Sequence, residues 1–402
     1  MFERAGDVFD VAQRGARGDA EGGGERAGRG GFRSEARDDP LAGRPVVHVG
    51  TESAIEETVS DGAVSGETKG NTLQSIHQCM DMDAVVLAGG YATRLWPITR
   101  NRPKMFLPVG ERAVIDHIFE ELERDDRIED VYVSTNERFA EPFEEHLAES
   151  EFEKPRLSVE ETTDEDEKFG VVGALAQLVE REGLSRDTIV VAGDNLISFD
   201  LAEFVDFFEA KGGPTLAAYD VGSADRASAY GVVELEGEEV VAFEEKPDEP
   251  PSTLVSIACY GFPAETLPLL SEYLADGNNP DEPGWFVAWL VDRGPVYAFT
   301  FEEAWYDIGT PQSYLEAVSW YLDGENYVHP DATVERAELA GDVHVMAGAT
   351  VENARVTRSV VFEDAVVRDG EIRDTLIDRE TQVQGIDLSG AVIGAHTKLN
   401  AS

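Results

Sequence analysis

The feature that most constrains this chain is a short apolar run, Asp83-Ala84-Val85-Val86-Leu87-Ala88, that breaks into Gly89-Gly90 and hands over to Tyr91-Ala92-Thr93-Arg94-Leu95-Trp96-Pro97. A buried strand that ends in glycines leaves bare backbone N–H groups where an anion can approach them. Arg94 and, ten residues on, Lys104 in Arg102-Pro103-Lys104 add positive charge of the kind a triphosphate needs. Two neighbouring phosphate-loop designs do not fit. A dinucleotide turn needs a third glycine where Arg94-Leu95 stands. A Walker loop needs a Gly-Lys-Ser/Thr tripeptide, which the chain lacks.

Downstream, strand and helix patterns alternate. The periodicity predicts strands at 83–88, 130–134, 156–160 and 188–192, with helices at 113–124, 139–149 and 171–181. Asp200 is placed to cap a helix over 201–209. A hairpin around Gly237 follows, and a last helix over 312–322. This alternation predicts a mainly parallel α/β sheet, whose ligands bind at the carboxyl ends of the strands. The glycine loop and Gly193-Asp194-Asn195 both follow strand ends, so they are expected to converge. From Val328 the period changes. Segments such as Val345–Val351, Val361–Val367 and Ile377–Val383 place an apolar residue every six, the pattern of a parallel β-helix with room for about four coils. Residues 1–81, with runs such as Gly22-Gly23-Gly24, show no hydrophobic period. They read as a disordered extension or, preferably, as a mis-called start upstream of Met80 or Met82.

The formal net charge of −48 over 402 residues argues against nucleic-acid binding. It suits a protein working in molar salt, where repulsion is screened within about 3 Å, and so points to the cytoplasm of a halophile, an archaeon. The chain has only seven lysines, yet two fall at the expected phosphate-binding positions. Two cysteines, Cys79 and Cys259, make no disulfide framework or metal pattern. No apolar run reaches the ~20 residues of a membrane span.

The string from Gly89 to Pro97, followed by Pro103-Lys104 and Leu107-Pro108-Val109, resembles the signature of the sugar-1-phosphate nucleotidyltransferases. Trp305-Tyr306-Asp307-Ile308-Gly309-Thr310-Pro311 and Glu245-Lys246-Pro247 resemble two further motifs of that family. The resemblance implies a Rossmann-like three-layer nucleotidyltransferase domain at 82–322 and a left-handed parallel β-helix at 328–402. It implies the reaction of a nucleoside triphosphate with a sugar 1-phosphate to give a nucleotide sugar and pyrophosphate. Glucose 1-phosphate with dTTP or UTP is the first expectation. Mannose 1-phosphate with GTP, or N-acetylglucosamine 1-phosphate with UTP, is the alternative.

The same resemblance assigns catalysis to Arg94, Lys104 and Asp194. It gives the nucleotide to Leu87, Ala88, Gly89, Gly90, Thr93 and Arg94, with Glu161 and Gly170 nearer the base. Gly231, Glu245, Lys246 and Ser256 fall to the sugar phosphate, and Mg²⁺ to Asp194 and Asp307, which suits an ion that keeps waters and bridges phosphates. Two departures stand out: Ala92 replaces a family glycine, and Ser256 an amide. They are the features a non-catalytic regulatory subunit of the same fold would show. The histidines of the C-terminal repeats, His329, His344 and His396, read as surface or turn residues rather than as an acyltransferase site. The repeats read as an oligomerisation and capping module.

Overall fold

In the computed structural model, residues 81–90, 92–160 and 169–401 are described. The segment 1–80 and Glu161 lie outside them. A nine-stranded sheet runs, from one edge, through Pro155–Glu160, Ile128–Asn136, Met82–Leu87, Thr188–Ala192, Leu254–Phe262, Thr215–Asp220, Tyr297–Phe301, Glu239–Glu245 and Gly231–Glu236. Only Leu254–Phe262 and Glu239–Glu245 run against the rest. The central strands are apolar on both faces because helices cover both. Ala84, Val86, Ile189 and Val191 point into one core layer, whereas Val85 and Val190 point into the other. The helix Val114–Arg124 turns Ile115, Ile118, Phe119 and Leu122 onto the first layer, and Val171–Glu182 turns Leu175 and Leu178 onto the second.

The expected elements appear within a few residues of their sequence-read ends, and Asp200 caps Leu201–Lys211 by accepting from the Ala202 N–H. Thr215–Asp220 had no expectation attached to it. Its Leu216-Ala217-Ala218 run carries little strand preference of its own and is stabilised by burial between two partner strands.

From Asn326 the chain lays down short strands in rotation through three parallel sheets, five, five and four strands deep. Each strand pairs with one 16 or 17 residues further on, as in Val351 with Val367 and Val367 with Val383. Two sheets thus reach five rungs, joined by four returns, against an expectation of about four coils. The six-residue step also holds on only one side. Fully buried residues follow it from Val345 to Val351, then step by five to Val356 and Val361 before the cycle repeats at Val367, Ile372 and Ile377. The corners explain the period. Gly348, Asn353, Arg358, Asp364, Asp369, Asp374, Glu380, Gly385, Gly390 and His396 all have positive φ, one per corner. Glycine, asparagine and aspartate adopt that conformation at least cost. Each inward valine or isoleucine contributes about 1.5–3 kcal/mol by its burial.

One face of this stack packs on the α/β body. Its outward residues His344, Val360 and Leu376 are buried rather than solvated, and the helix Pro311–Leu322 packs against the strand that carries His344. His344 was expected at the surface. Instead its ring meets the Tyr327 ring edge-on at 4.9 Å, and its Nδ1 has no hydrogen-bond partner among the described residues. Burial, assisted by the nearby His329, lowers its pKa from 6.5 to about 4. The unfolded chain therefore takes up this proton near pH 6.5 while the folded chain resists until about 4. Stability from this group is complete above that window and is lost as pH falls through it. Thermal unfolding of the wild type should lose stability more steeply between pH 6.5 and 4 than that of a His344→Gln variant. Parallel curves for the two proteins would contradict the burial of a neutral imidazole.

Candidate active site

Four parallel strands end on one edge of the sheet, at Leu87, Asn136, Glu160 and Ala192. The glycine loop is pinned there by its neighbours. The Asn136 side-chain amide donates to Gly89 O at 2.9 Å, and the Thr135 hydroxyl to Ala88 O at 3.2 Å. Across the loop, the buried Thr99 hydroxyl donates to Ala92 O at 2.8 Å. Ala92 itself lies in the left-handed region, φ 49°, before the helical turn Thr93–Leu95. The alanine thus takes a conformation natural to the glycine it replaces. The turn sends Arg94 toward Gly309, where an added Cβ would stand 3.1 Å from Nη2. Thr93 is exposed and is not among the residues that line the cleft.

A two-stranded antiparallel ribbon joins the two aspartates. Asn195–Ile197 pairs with Trp305–Asp307, and Asp307 is the register partner of Asn195. The Ile308 N–H donates to Asp194 O at 3.0 Å, and the Trp305 indole N–H donates to the Asn195 side chain. Lys104 forms an ion pair with Asp194. Burial pushes the Asp307 carboxyl up to about 6, the Asp194 charge pushes the same way, and Lys104, Arg94 and Lys246 oppose them.

At the other end of the cleft, three adjacent strands place Glu245, Gly231 and Ser256 in one row, since Gly231 pairs with Glu245 on one side and with Ser256 on the other. The Glu245 carboxyl is packed against the bare Cα atoms of Gly231 and Gly284, where an added Cβ would lie 2.9 Å and 1.8 Å from its Oε2. Burial, then the charge of Glu282, raises its pKa to about 7 against the opposing pull of Lys246. Lys246 pairs with Glu282 and has a positive φ of 48°. The Ser256 hydroxyl donates to Ile257 O at 3.3 Å, and the nearby Tyr260 phenol is buried.

These residues line a single cleft of about 530 Å³. Leu87, Ala88, Gly89, Gly90, Arg94, Lys104, Gly170, Asp194, Gly231, Glu245, Lys246, Ser256 and Asp307 all contribute to its wall. Among the described residues that line it, Arg94, Lys104 and Lys246 are the only cationic side chains. Sequence reasoning passed over Glu160. Its carboxyl is buried at the strand end, accepts from the Ser134 hydroxyl at 3.0 Å, and would lie 3.1 Å from a Cβ at Gly89. Burial raises its pKa. The signal available was position alone, the last residue of a strand whose neighbours all end in the site.

Asp194 and Asp307 supply hard carboxylate oxygens, close enough for the Asp194 charge to raise the Asp307 pKa. Among the described residues no cluster of three or more His, Cys, Asp or Glu side chains forms a metal cage. Two carboxylates with the remaining positions left to water and phosphate fit Mg²⁺ and not a structural zinc.

This edge-of-sheet cleft, with a glycine loop, three cations and two apposed aspartates, is the frame of a nucleotide-transferring enzyme. The chain belongs to the nucleotidyl transferase family, which it matches over residues 83–324. Its relatives are sugar-1-phosphate nucleotidyltransferases. A protein of Sulfolobus acidocaldarius, named for mannose-1-phosphate guanyl transfer, is 29% identical over 70% of this chain and 76% of its own length. The mannose-1-phosphate guanylyltransferase of Mycobacterium tuberculosis is 30% identical over 72% and 82%. A crystal structure of UDP-glucose pyrophosphorylase with UDP-glucose superposes with a TM-score of 0.52 at 25% identity, covering 59% of this chain and 97% of that one.

The left-handed Ala92 generates a stability prediction. A non-glycine residue there costs about 1–2 kcal/mol. Ala92→Gly should raise the thermal midpoint by an amount equivalent to about 1 kcal/mol, without loss of fold. An unchanged or lower midpoint would contradict the strain.

Proposed function

We propose that the chain makes a nucleotide sugar and pyrophosphate from a nucleoside triphosphate and a sugar 1-phosphate. The carrying observation is that Arg94, Lys104, Asp194, Lys246 and Asp307, spread over more than half the chain, line one cleft. In the reaction a phosphate oxygen of the sugar 1-phosphate attacks the α-phosphorus in line, the bond to the β-phosphate breaks, and pyrophosphate leaves. Such a transfer needs positioning and charge neutralisation more than covalent chemistry. The glycine loop offers its N–H groups to the phosphates, and Arg94 contributes a planar fork suited to the leaving pyrophosphate. Lys104, paired with Asp194 in the free protein, turns to the reacting phosphates. Lys246 holds the phosphate of the sugar, with Glu245, Gly231 and Ser256 around its hydroxyls. Asp194 and Asp307 would hold Mg²⁺, which when bound offsets the charge of the triphosphate.

The first substrate pair is glucose 1-phosphate with dTTP or UTP. Glu160 favours a second, mannose 1-phosphate with GTP. A carboxylate at the base end selects bases that carry a ring N–H, which guanine, uracil and thymine have and adenine and cytosine lack. Guanine alone presents two adjacent donors to both carboxylate oxygens, the stronger bidentate arrangement. We read residues 82–322 as the catalytic domain and 328–402 as a left-handed β-helix through which copies associate, in a cytoplasm of high salt. The three-sided 16-residue coils support the β-helix, and the net charge supports the setting. No helix among the described residues is long and apolar enough to cross a membrane.

Pyrophosphate release in molar KCl with Mg²⁺, across five nucleoside triphosphates and a panel of sugar 1-phosphates, should single out one pair containing GTP, UTP or dTTP. Silence from the folded protein would favour a non-catalytic subunit. Arg94→Ala and Asp194→Ala should each lower kcat/KM by about 100-fold or more with the fold intact, as expected for lost charge stabilisation. Glu160→Gln should narrow the preference among bases, and an unaltered preference would remove Glu160 from base recognition. Sedimentation in the same salt should give an oligomer, and a monomer would leave the stack without its associative role.

A further inference from the structure

The segment that carries Lys104 has its back to the C-terminal stack. Arg102, two residues before Lys104, does not line the cleft. Its Nη2 instead donates to Asp378 Oδ1 at 2.7 Å, with the arginine side chain 19% and the aspartate 5% exposed. The guanidinium carbon lies 4.7 Å from the centre of the Phe362 ring, which is fully buried. Asp378 is itself oriented, since its Oδ1 also accepts the Arg379 N–H at 2.9 Å. Pro97, on the near side of the same segment, packs against Gly394, where an added Cβ would lie 2.8 Å from the proline ring. On the far side, Pro108 O accepts from the Tyr314 hydroxyl at 2.7 Å, and the Tyr314 ring lies 6.5 Å from Phe362. The segment from Pro97 to Pro108 is therefore held at three points, two of them directly on the stack. Between Arg102 and Lys104 stands Pro103, whose ring fixes φ, so a shift of Arg102 passes to Lys104 with little slack.

We propose that Asp378 is a positioning residue for Lys104, acting through Arg102, so that the stack forms part of the active site of its own chain. A buried arginine–carboxylate pair suits this task. It is directional, and removing one partner leaves an uncompensated charge that must move to find water. The proposal rests on the reading of Lys104 as a phosphate-binding residue, and the test separates the two.

Two readouts are needed on the full-length protein. The first is site-resolved acetylation of lysines by acetic anhydride, followed by mass spectrometry with Lys398 as internal reference. The second is steady-state turnover with GTP plus mannose 1-phosphate and with dTTP plus glucose 1-phosphate. Asp378→Asn and Arg102→Met should each loosen Lys104 from Asp194 and raise its acetylation relative to Lys398. Asp378→Glu should restore part of the protection. If Asp378→Asn fails to fold, Arg102→Met carries the same test from the other partner. Turnover should fall by about 10- to 100-fold in kcat, the loss expected for a displaced catalytic group, with KM changed by less than about three-fold. In a Lys104→Met background, Asp378→Asn should cause no further loss of kcat. Lys104 acetylation unchanged in both variants would overturn the proposal, as would an equal loss of kcat with and without Lys104. If Lys104→Met leaves turnover intact while acetylation at Lys104 still rises in Asp378→Asn, the positioning stands and the role of Lys104 in phosphate binding falls.

Discussion

The apposition of Asp194 and Asp307 is the constraint to which the rest of the cleft answers. Two carboxylates in one half-buried place repel, and the repulsion helps hold the Asp307 proton up to about 6. The fold tolerates this because cations converge on the pair. Lys104 reaches Asp194 from the segment after the glycine loop, and Arg94 and Lys246 act on Asp307 from two other parts of the chain. The two-stranded ribbon that joins the aspartates, three residues long, has little stability of its own. It persists because Trp305 buries its ring in the core and pays its N–H to Asn195.

A surplus of negative charge makes that arrangement more demanding. Among the lining residues, Arg94, Lys104 and Lys246 face Glu160, Asp194, Glu245, Asp281, Glu282 and Asp307. A polyanion entering such a cleft gains only if some of the carboxyls are neutral or engaged. Burial raises the Glu245 pKa to about 7, so this carboxyl is partly protonated at neutral pH, while Glu282 and Asp194 are engaged by lysines. The acidic surface of the molecule and the selectivity of its interior are separate matters. The net charge belongs to the whole chain, whereas the charge within the cleft depends on which carboxyls have lost their solvent.

The α/β body was legible wherever hydrophobic period and local turn chemistry agreed. Thr188–Ala192 begins and ends where the apolar run does, and Gly237 marks its hairpin. What escaped were features created by tertiary contact. Asn195–Ile197 is a strand only because Trp305–Asp307 lies beside it, and Glu160 faces the site only because Gly89 leaves room. Thr93 carried a motif assignment, and it stands exposed beside the cleft rather than among the residues that line it. In the stack, the six-residue apolar step was visible, but the true spacing is written in the corner residues. Asn353, Asp364, Asp369 and Asp374 carry it openly, whereas Arg358, Glu380 and His396 take the same left-handed conformation without advertising it.

The corner spacing also sets a rule for how this chain can change length. Each coil is a closed loop of 16 residues, 17 in the first, that returns to the same face one rung along, a rise of about 4.8 Å. Removal or duplication of a whole coil therefore acts as a translation and leaves the faces in phase. An insertion of five or six residues acts as a rotation by one side, and would carry Asp378 from the face that meets Arg102 to one that meets water. The stack behaves as a ruler with one graduated edge, and that edge meets the segment that carries Arg102 and Lys104.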